Sequence, residues 1–196
     1  MLLGAPRKTP GRNLGIVLIV ATLAMLVASG IGPTDRLTWW MEVIWVVVGL
    51  PLVLLVWPRF PLTRLLCVLL VIHAGILVLG GHYTYAKVPL GDWFRDWFEF
   101  SRNHYDRLGH FAQGFVPAIL ARELLLRKTG LKPGGWLFYL CVSCALAFSA
   151  FFEMIEWWSA VIMGGKAEAF LATQGDIWDT QWDMFLAMCG AILSQL

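Results

Sequence analysis

Long runs of apolar residues constrain this chain more than any other feature. Blocks over 14–29, 39–57, 65–81, 106–126, 136–161 and 182–196 are divided by short connections rich in Pro, Gly and charge. A helix needs about 20 apolar residues to cross a ~30 Å hydrocarbon layer, and blocks of this kind, rather than short amphipathic stripes, read as bilayer-spanning helices. A chain that is 59% hydrophobic and 14% charged, with mean hydropathy +0.69, does not have the composition of a soluble domain. The expectation is an all-α, polytopic membrane bundle of about six transmembrane helices, forming one integral membrane domain over 1–196.

Arg7, Lys8 and Arg12 precede the first block, and the small residues Ala28-Ser29-Gly30 stand at its end, as in a signal peptide. The further blocks make a retained signal-anchor helix the better reading. Gly32-Pro33-Thr34-Asp35-Arg36 breaks the chain before the second span, whose ends carry Trp39, Trp40 and Trp57, where indoles favour the interface. In the longest connection, Pro89-Leu90-Gly91 leads into a short helix near 92–103 with Asp92 as its cap. Trp93, Phe94, Trp97 and Phe98 share one face of it and Arg95, Asp96 and Glu99 the other, the pattern of a helix lying in the headgroup region. One helical turn is expected over 166–171. The last block is short for a span and is expected to be completed by its polar start or by residues past Leu196. Cys67, Cys141, Cys144 and Cys189 all lie inside apolar blocks. Even the CxxC of Cys141 and Cys144 therefore reads as packing, since redox or metal chemistry needs thiolates reachable from water.

Six spans place both termini on one side. The flanks on that side carry Arg7, Lys8, Arg12, Arg59, Arg64, Arg122, Arg127, Lys128 and Lys132, which outnumber Arg36, Lys87, Arg95, Arg102, Arg107 and Lys166 on the other. Basic residues favour the cytoplasmic side, so a multi-pass protein of the bacterial inner membrane with cytoplasmic N- and C-termini is expected. The basic residues are few and topology accounts for them, so no nucleic-acid partner is expected; the partners expected are membrane lipid and a lipid-linked substrate. Glu123 falls on the cytoplasmic side, and every other acid falls at the opposite ends of spans or outside them.

There, three segments bring polar groups to one level. Asp106, Arg107 and His110 open the fourth span, with Asp106 and His110 one turn apart on the same face. Glu153 and Glu156 close the fifth, and Asp176, Asp179 and Asp183 lead into the sixth. Ionisable groups at the edge of a bilayer are costly unless paired or hydrated, and usually mark a site. Asp106, His110, Glu153, Glu156 and Asp183 are the catalytic candidates. Arg107, Trp157, Asp176 and Asp179 are candidates for substrate contacts, with Arg107 suited to a phosphate or to pairing with a glutamate. Asp106, His110 and Glu153 could hold a divalent metal such as Mg²⁺, Mn²⁺, Zn²⁺ or Fe²⁺ as cofactor, or the cluster could form a general acid–base pair. The competing account is an ion-pair network that satisfies these groups at helix ends. His73, alone in mid-span, reads as a neutral imidazole bonded to backbone.

Four motifs resemble the YjdF family: Gly80-Gly81-His82-Tyr83-Thr84-Tyr85-Ala86-Lys87-Val88-Pro89, Tyr105-Asp106-Arg107-Leu108-Gly109-His110-Phe111, Glu153-Met154-Ile155-Glu156-Trp157-Trp158 and the stretch from Thr173-Gln174-Gly175-Asp176 to Trp178-Asp179-Thr180-Gln181. The resemblance covers nearly the whole chain and implies an inner-membrane protein without an assigned biochemical activity. A weaker likeness is to VanZ-like membrane proteins, associated with glycopeptide-antibiotic resistance. Their Asp-Lys-x-x-His-Phe is matched by Asp106, Arg107, His110 and Phe111, and their Glu-x-x-Gln is approximated by Glu153 and Glu156. Their Asp-x-x-x-Asn-x-x-Gly falls on Asp183 and Gly190 with Ala187 in place of the Asn.

Three functions follow as expectations. The first is a polar, metal-capable site at the outer face that binds or acts on a lipid-linked or envelope substrate. The second is a structural or partner-binding subunit in which the cluster locks helices together. The third is a transporter of a small solute or of protons, for which the inner halves of the last spans offer almost no ionisable groups.

Overall fold

A computed structural model describes residues 8–196, with the backbone alone for 166–168; Arg7 of the basic flank lies outside the described residues, as does the Lys166 side chain. All regular structure among the described residues is helical. The order is α1 (Arg12–Ser29), α2 (Arg36–Val56), α3 (Arg64–Tyr83), a 3₁₀ turn (Tyr85–Lys87), α4 (Pro89–Phe98), α5 (Tyr105–Lys128), α6 (Gly135–Met163), a second 3₁₀ turn (Gly164–Ala167), α7 (Glu168–Leu171) and α8 (Asp179–Leu193). α1, α2, α3 and α6 are long and apolar enough to cross a membrane. α5, of 24 residues, carries a polar first half, and α8 has 15 residues and begins at Asp179, so the polar start is part of the helix. The chain is a polytopic helical membrane protein. α5 is the hub: it packs on α3, α6 and α8, and α8 also packs on α6.

The helix ends follow local chemistry. Asp35 caps α2 by accepting the Thr38 N–H at 2.7 Å, which holds its carboxyl below the usual aspartate range. Thr63 caps α3 in the same way through the Leu66 N–H. Thr84, at φ 63°, ends α3. The short helix differs from its expected 92–103 limits: it starts at Pro89, whose fixed φ suits the first turn, and stops where Glu99 turns left-handed at φ 54°. Asp92 is not its cap. The Asp92 carboxylate instead accepts from Arg95 at 2.8 Å and from the Asn103 side-chain amide at 3.0 Å. The exposed face of α4 is aromatic, with Trp93, Phe94, Trp97 and Phe98 all uncovered.

Polar clamps fix the two ends of the bundle. At the end where α5 starts, Trp39 Nε1 donates to Ser29 Oγ at 3.0 Å, His82 Nδ1 lies 2.9 Å from the Ser29 carbonyl, and the Thr34 N–H donates to the His82 carbonyl at 2.8 Å. At the opposite end, Thr63 donates its hydroxyl to Glu123, while Arg127 donates to the Pro61 carbonyl at 2.8 Å and lies over the Phe60 ring. Between the clamps α5 and α8 touch backbone to backbone. A Cβ on Gly114 would overlap the Ala187 carbonyl, and one on Gly190 would overlap the Phe111 carbonyl. In lipid, where apolar surfaces are not driven together, small residues of this kind let helices associate by close contact. Cys141 is buried in packing and Cys144 is exposed on the bundle surface; both thiols are free.

Candidate functional site

Asn103, with no exposed surface, sets the start of α5. Its side-chain oxygen accepts the Tyr105 N–H at 3.0 Å, its amide donates to the Val88 carbonyl at 3.0 Å, and the Gln174 side chain brackets its backbone from both sides. Gly91 is required beneath it, because a Cβ there would overlap the Asn103 side chain. Tyr105 adds a hydrogen bond to the Ile76 carbonyl at 3.1 Å. Asp106 and His110 thus enter the bundle from a rigidly held first turn.

The α5–α8 contact delivers the third group. His110 Nε2 lies 3.6 Å from Asp106 Oδ1 and 3.9 Å from Asp183 Oδ2, while His110 Nδ1 lies 3.6 Å from Glu153 Oε1 on α6. Asp183 is 1% exposed, His110 3%, Asp106 5% and Glu153 7%. These separations exceed hydrogen-bond length, and both Glu153 oxygens, Asp183 Oδ1 and His110 Nδ1 are buried with no hydrogen-bond partner among the described residues at these distances. One ligand atom each from Asp106, His110 and Asp183 falls within 4.8 Å of the others. Donors placed about 2.0–2.3 Å from a shared cation stand at such separations. An imidazole offers one lone pair, so a cation on Nε2 leaves the Nδ1 proton facing Glu153, the usual arrangement behind a metal-bound histidine. The structure therefore groups Asp183, rather than Glu153, with Asp106 and His110 around one point.

A layer of ion pairs closes the cluster from the connection side. Arg102 donates to Asp179 at 2.6 Å, to Asp176 at 3.3 Å and to the Ala172 carbonyl at 3.3 Å. Arg107 donates to Asp176 at 2.7 Å, and its guanidinium lies 5.2 Å from the centre of the Trp182 ring. Arg107 thus pairs with an aspartate and not a glutamate, and Asp176 and Asp179 are engaged by arginine. Glu156 is buried within electrostatic reach of Glu153, Asp106 and Glu42, whereas Trp157 stands exposed on the outside of the bundle. Burial beside these two arginines also pushes the His104 imidazole below its ordinary range, with desolvation as the larger cause.

Residues 14–196 match a family described as predicted membrane protein (DUF2238). Among curated proteins, the inner membrane protein YjdF of Escherichia coli (strain K12) is 51% identical over 168 residues, which cover 86% of this chain and 80% of that protein. The chain belongs to this family. No solved structure matches it. The matched region contains every residue of the cluster, from Glu42 to Asp183.

Three residues at this site carry no prediction from sequence. Glu42, 2% exposed on α2, shares a cavity wall with Asp106, His110 and Gln113. It was detectable as an acid inside an otherwise apolar span. Gln113, three residues after His110, lies on the same helical face. Arg102 had no distinguishing signal, because its buried partner Asp179 opens α8, 77 residues further on. His73 has a buried Nε2 without a hydrogen-bond partner among the described residues and lines the same cavity.

Proposed function

We propose that this protein holds a divalent cation at Asp106, His110 and Asp183, and that the centre binds or acts on a lipid-linked or envelope substrate. The observation that carries the proposal is the convergence of these three ligand atoms, with Asp183 Oδ1 buried and without a hydrogen-bond partner among the described residues. Glu42, Asp106, Glu153, Glu156 and Asp183 are all buried, with Asp106, Glu153 and Asp183 facing the His110 imidazole, while Arg102 and Arg107 are answered by Asp176 and Asp179. So much buried negative charge needs a cation or protons to persist. One nitrogen and two carboxylates suit Mn²⁺, Fe²⁺ or Zn²⁺ and leave coordination positions open. A cation there would polarise a phosphoryl or carbonyl oxygen, with Glu153 facing the Nδ1 side of the His110 ring.

The name of the E. coli relative supports an inner-membrane location, and the distribution of basic residues supports cytoplasmic termini, an orientation in which the cluster would face outward. A fluorescent protein fused after Leu196 should fold and fluoresce; activity of a periplasmic reporter at that position would reverse the orientation.

Metal content of the detergent-purified protein tests the centre. Near-stoichiometric metal is expected in the wild type, lost in Asp106→Asn and His110→Ala variants that remain helical and monodisperse. A wild type that carries no metal, and takes up none from Mn²⁺ or Zn²⁺, would refute it.

A further inference from the structure

A cavity of about 660 Å³ runs inside the bundle between α1, α2, α3, α5 and α6. That is within the roughly 300–1,000 Å³ of sites that enclose a small-molecule ligand. Its two ends differ in chemistry. Glu42, Asp106, His110 and Gln113 gather at one end, and the walls beyond them are almost wholly aliphatic and aromatic, down to Leu120. Asp106 and Leu120 both line it and are about 21 Å apart along α5, at 1.5 Å per residue. One leaflet is only half of the ~30 Å hydrocarbon core. A tunnel of this length accepts a chain that reaches past the midplane. α2 meets α6 where the Trp45 ring packs on Phe148 at 5.3 Å and on Phe152 at 6.2 Å, so aromatic rings rather than backbones bound this side.

We infer that the cavity holds the single long hydrocarbon chain of a polyisoprenyl phosphate, with the phosphate at the Asp106–His110 end. The inference rests on the cation centre proposed above. The head end is lined by carboxylates, which repel a bare phosphate and accept it only with a divalent cation between them. A neutral head would leave that cation's open positions to water. The chain's length follows from the depth of the cavity, and the phosphate follows from the donor set at its mouth.

Native mass spectrometry of the full chain, released from detergent with Mn²⁺, tests this. The probes are a long-chain polyisoprenyl phosphate, the corresponding alcohol and a lysophosphatidate. Gly49 and Gly15 line the cavity, and a Cβ at either meets nothing within 4 Å. Gly49→Phe and Gly15→Phe therefore fill the tunnel without displacing a neighbour. A one-to-one adduct with the polyisoprenyl phosphate is expected. It should weaken at least about tenfold, or ~1.4 kcal/mol, with the alcohol, with chelator, and in Gly49→Phe, while Gly49→Phe keeps its Mn²⁺. Bound Mn²⁺ with no lipid adduct, or with one indifferent to Gly49→Phe and Gly15→Phe, would overturn the inference and leave the cation centre standing. Equal binding of lysophosphatidate would overturn the assignment of a long chain, and binding that survives chelator would overturn the bridging cation. Failure to bind Mn²⁺ at all would remove the centre and this inference together.

Discussion

Gly114 of α5 rests so closely on Ala187 of α8 that a side chain at position 114 would occupy the space of the Ala187 carbonyl. Gly190 makes the reciprocal approach to Phe111. At these two contacts there is no room for even a methyl group between the helices, and this close spacing leaves Asp183 Oδ2 3.9 Å from His110 Nε2. The cluster is thus a product of backbone packing.

Gly114→Ala and Gly190→Ala should each force the helices apart. Overpacking costs about 1–3 kcal/mol where side chains can yield, and more is expected here because the obstacle is backbone. Thermal melting in detergent should fall for both variants, and a folded Gly114→Ala protein should also lose the cation. An unchanged melting temperature for both would mean that the helices are not held by this contact.

Arg102 and Asp179 form a buried pair, 8% and 4% exposed. Removing one partner of such a pair strands the other charge and costs about 3–5 kcal/mol. Arg102→Gln should therefore destabilise strongly. The double variant Arg102→Gln/Asp179→Asn should recover much of the loss, because no lone charge remains. Additive losses in a double-mutant cycle would deny the coupling.

Asp35 supplies a pH-dependent increment at the start of α2. Its folded carboxyl is held low, chiefly by the Thr38 N–H. The stabilisation is therefore complete above the ordinary aspartate value, about 4, and is lost as pH falls through the lower folded value. Asp35→Ala should melt earlier at neutral pH by about 1 kcal/mol, and the difference should close in strong acid. A difference that widens on acidification would contradict the cap.

Much of this arrangement is legible in the chain. Six apolar blocks become α1, α2, α3, α5, α6 and α8 because membrane helices announce themselves by length and hydropathy. Asp106 and His110 are paired by helical period alone. The partners from other elements are less accessible to such reasoning. Whether Asp183 or Glu153 shares a point with His110 Nε2 depends on the depth at which α8 seats on α5, which Gly114 and Gly190 decide in three dimensions. The limits of α4 shift because Asn103 draws Asp92 away from a capping role. Glu42 passes unnoticed as one acid among apolar residues, although burial without a full set of partners makes it informative.

X-ray absorption at the metal edge of the Mn²⁺- or Zn²⁺-loaded protein is the most direct test of the centre. The arrangement predicts one imidazole nitrogen among oxygen donors, with the imidazole signal lost in His110→Gln and the metal lost in Asp183→Asn. An all-oxygen shell in the wild type, or full metal retention in both Asp106→Asn and Asp183→Asn, would contradict a cation held by Asp106, His110 and Asp183.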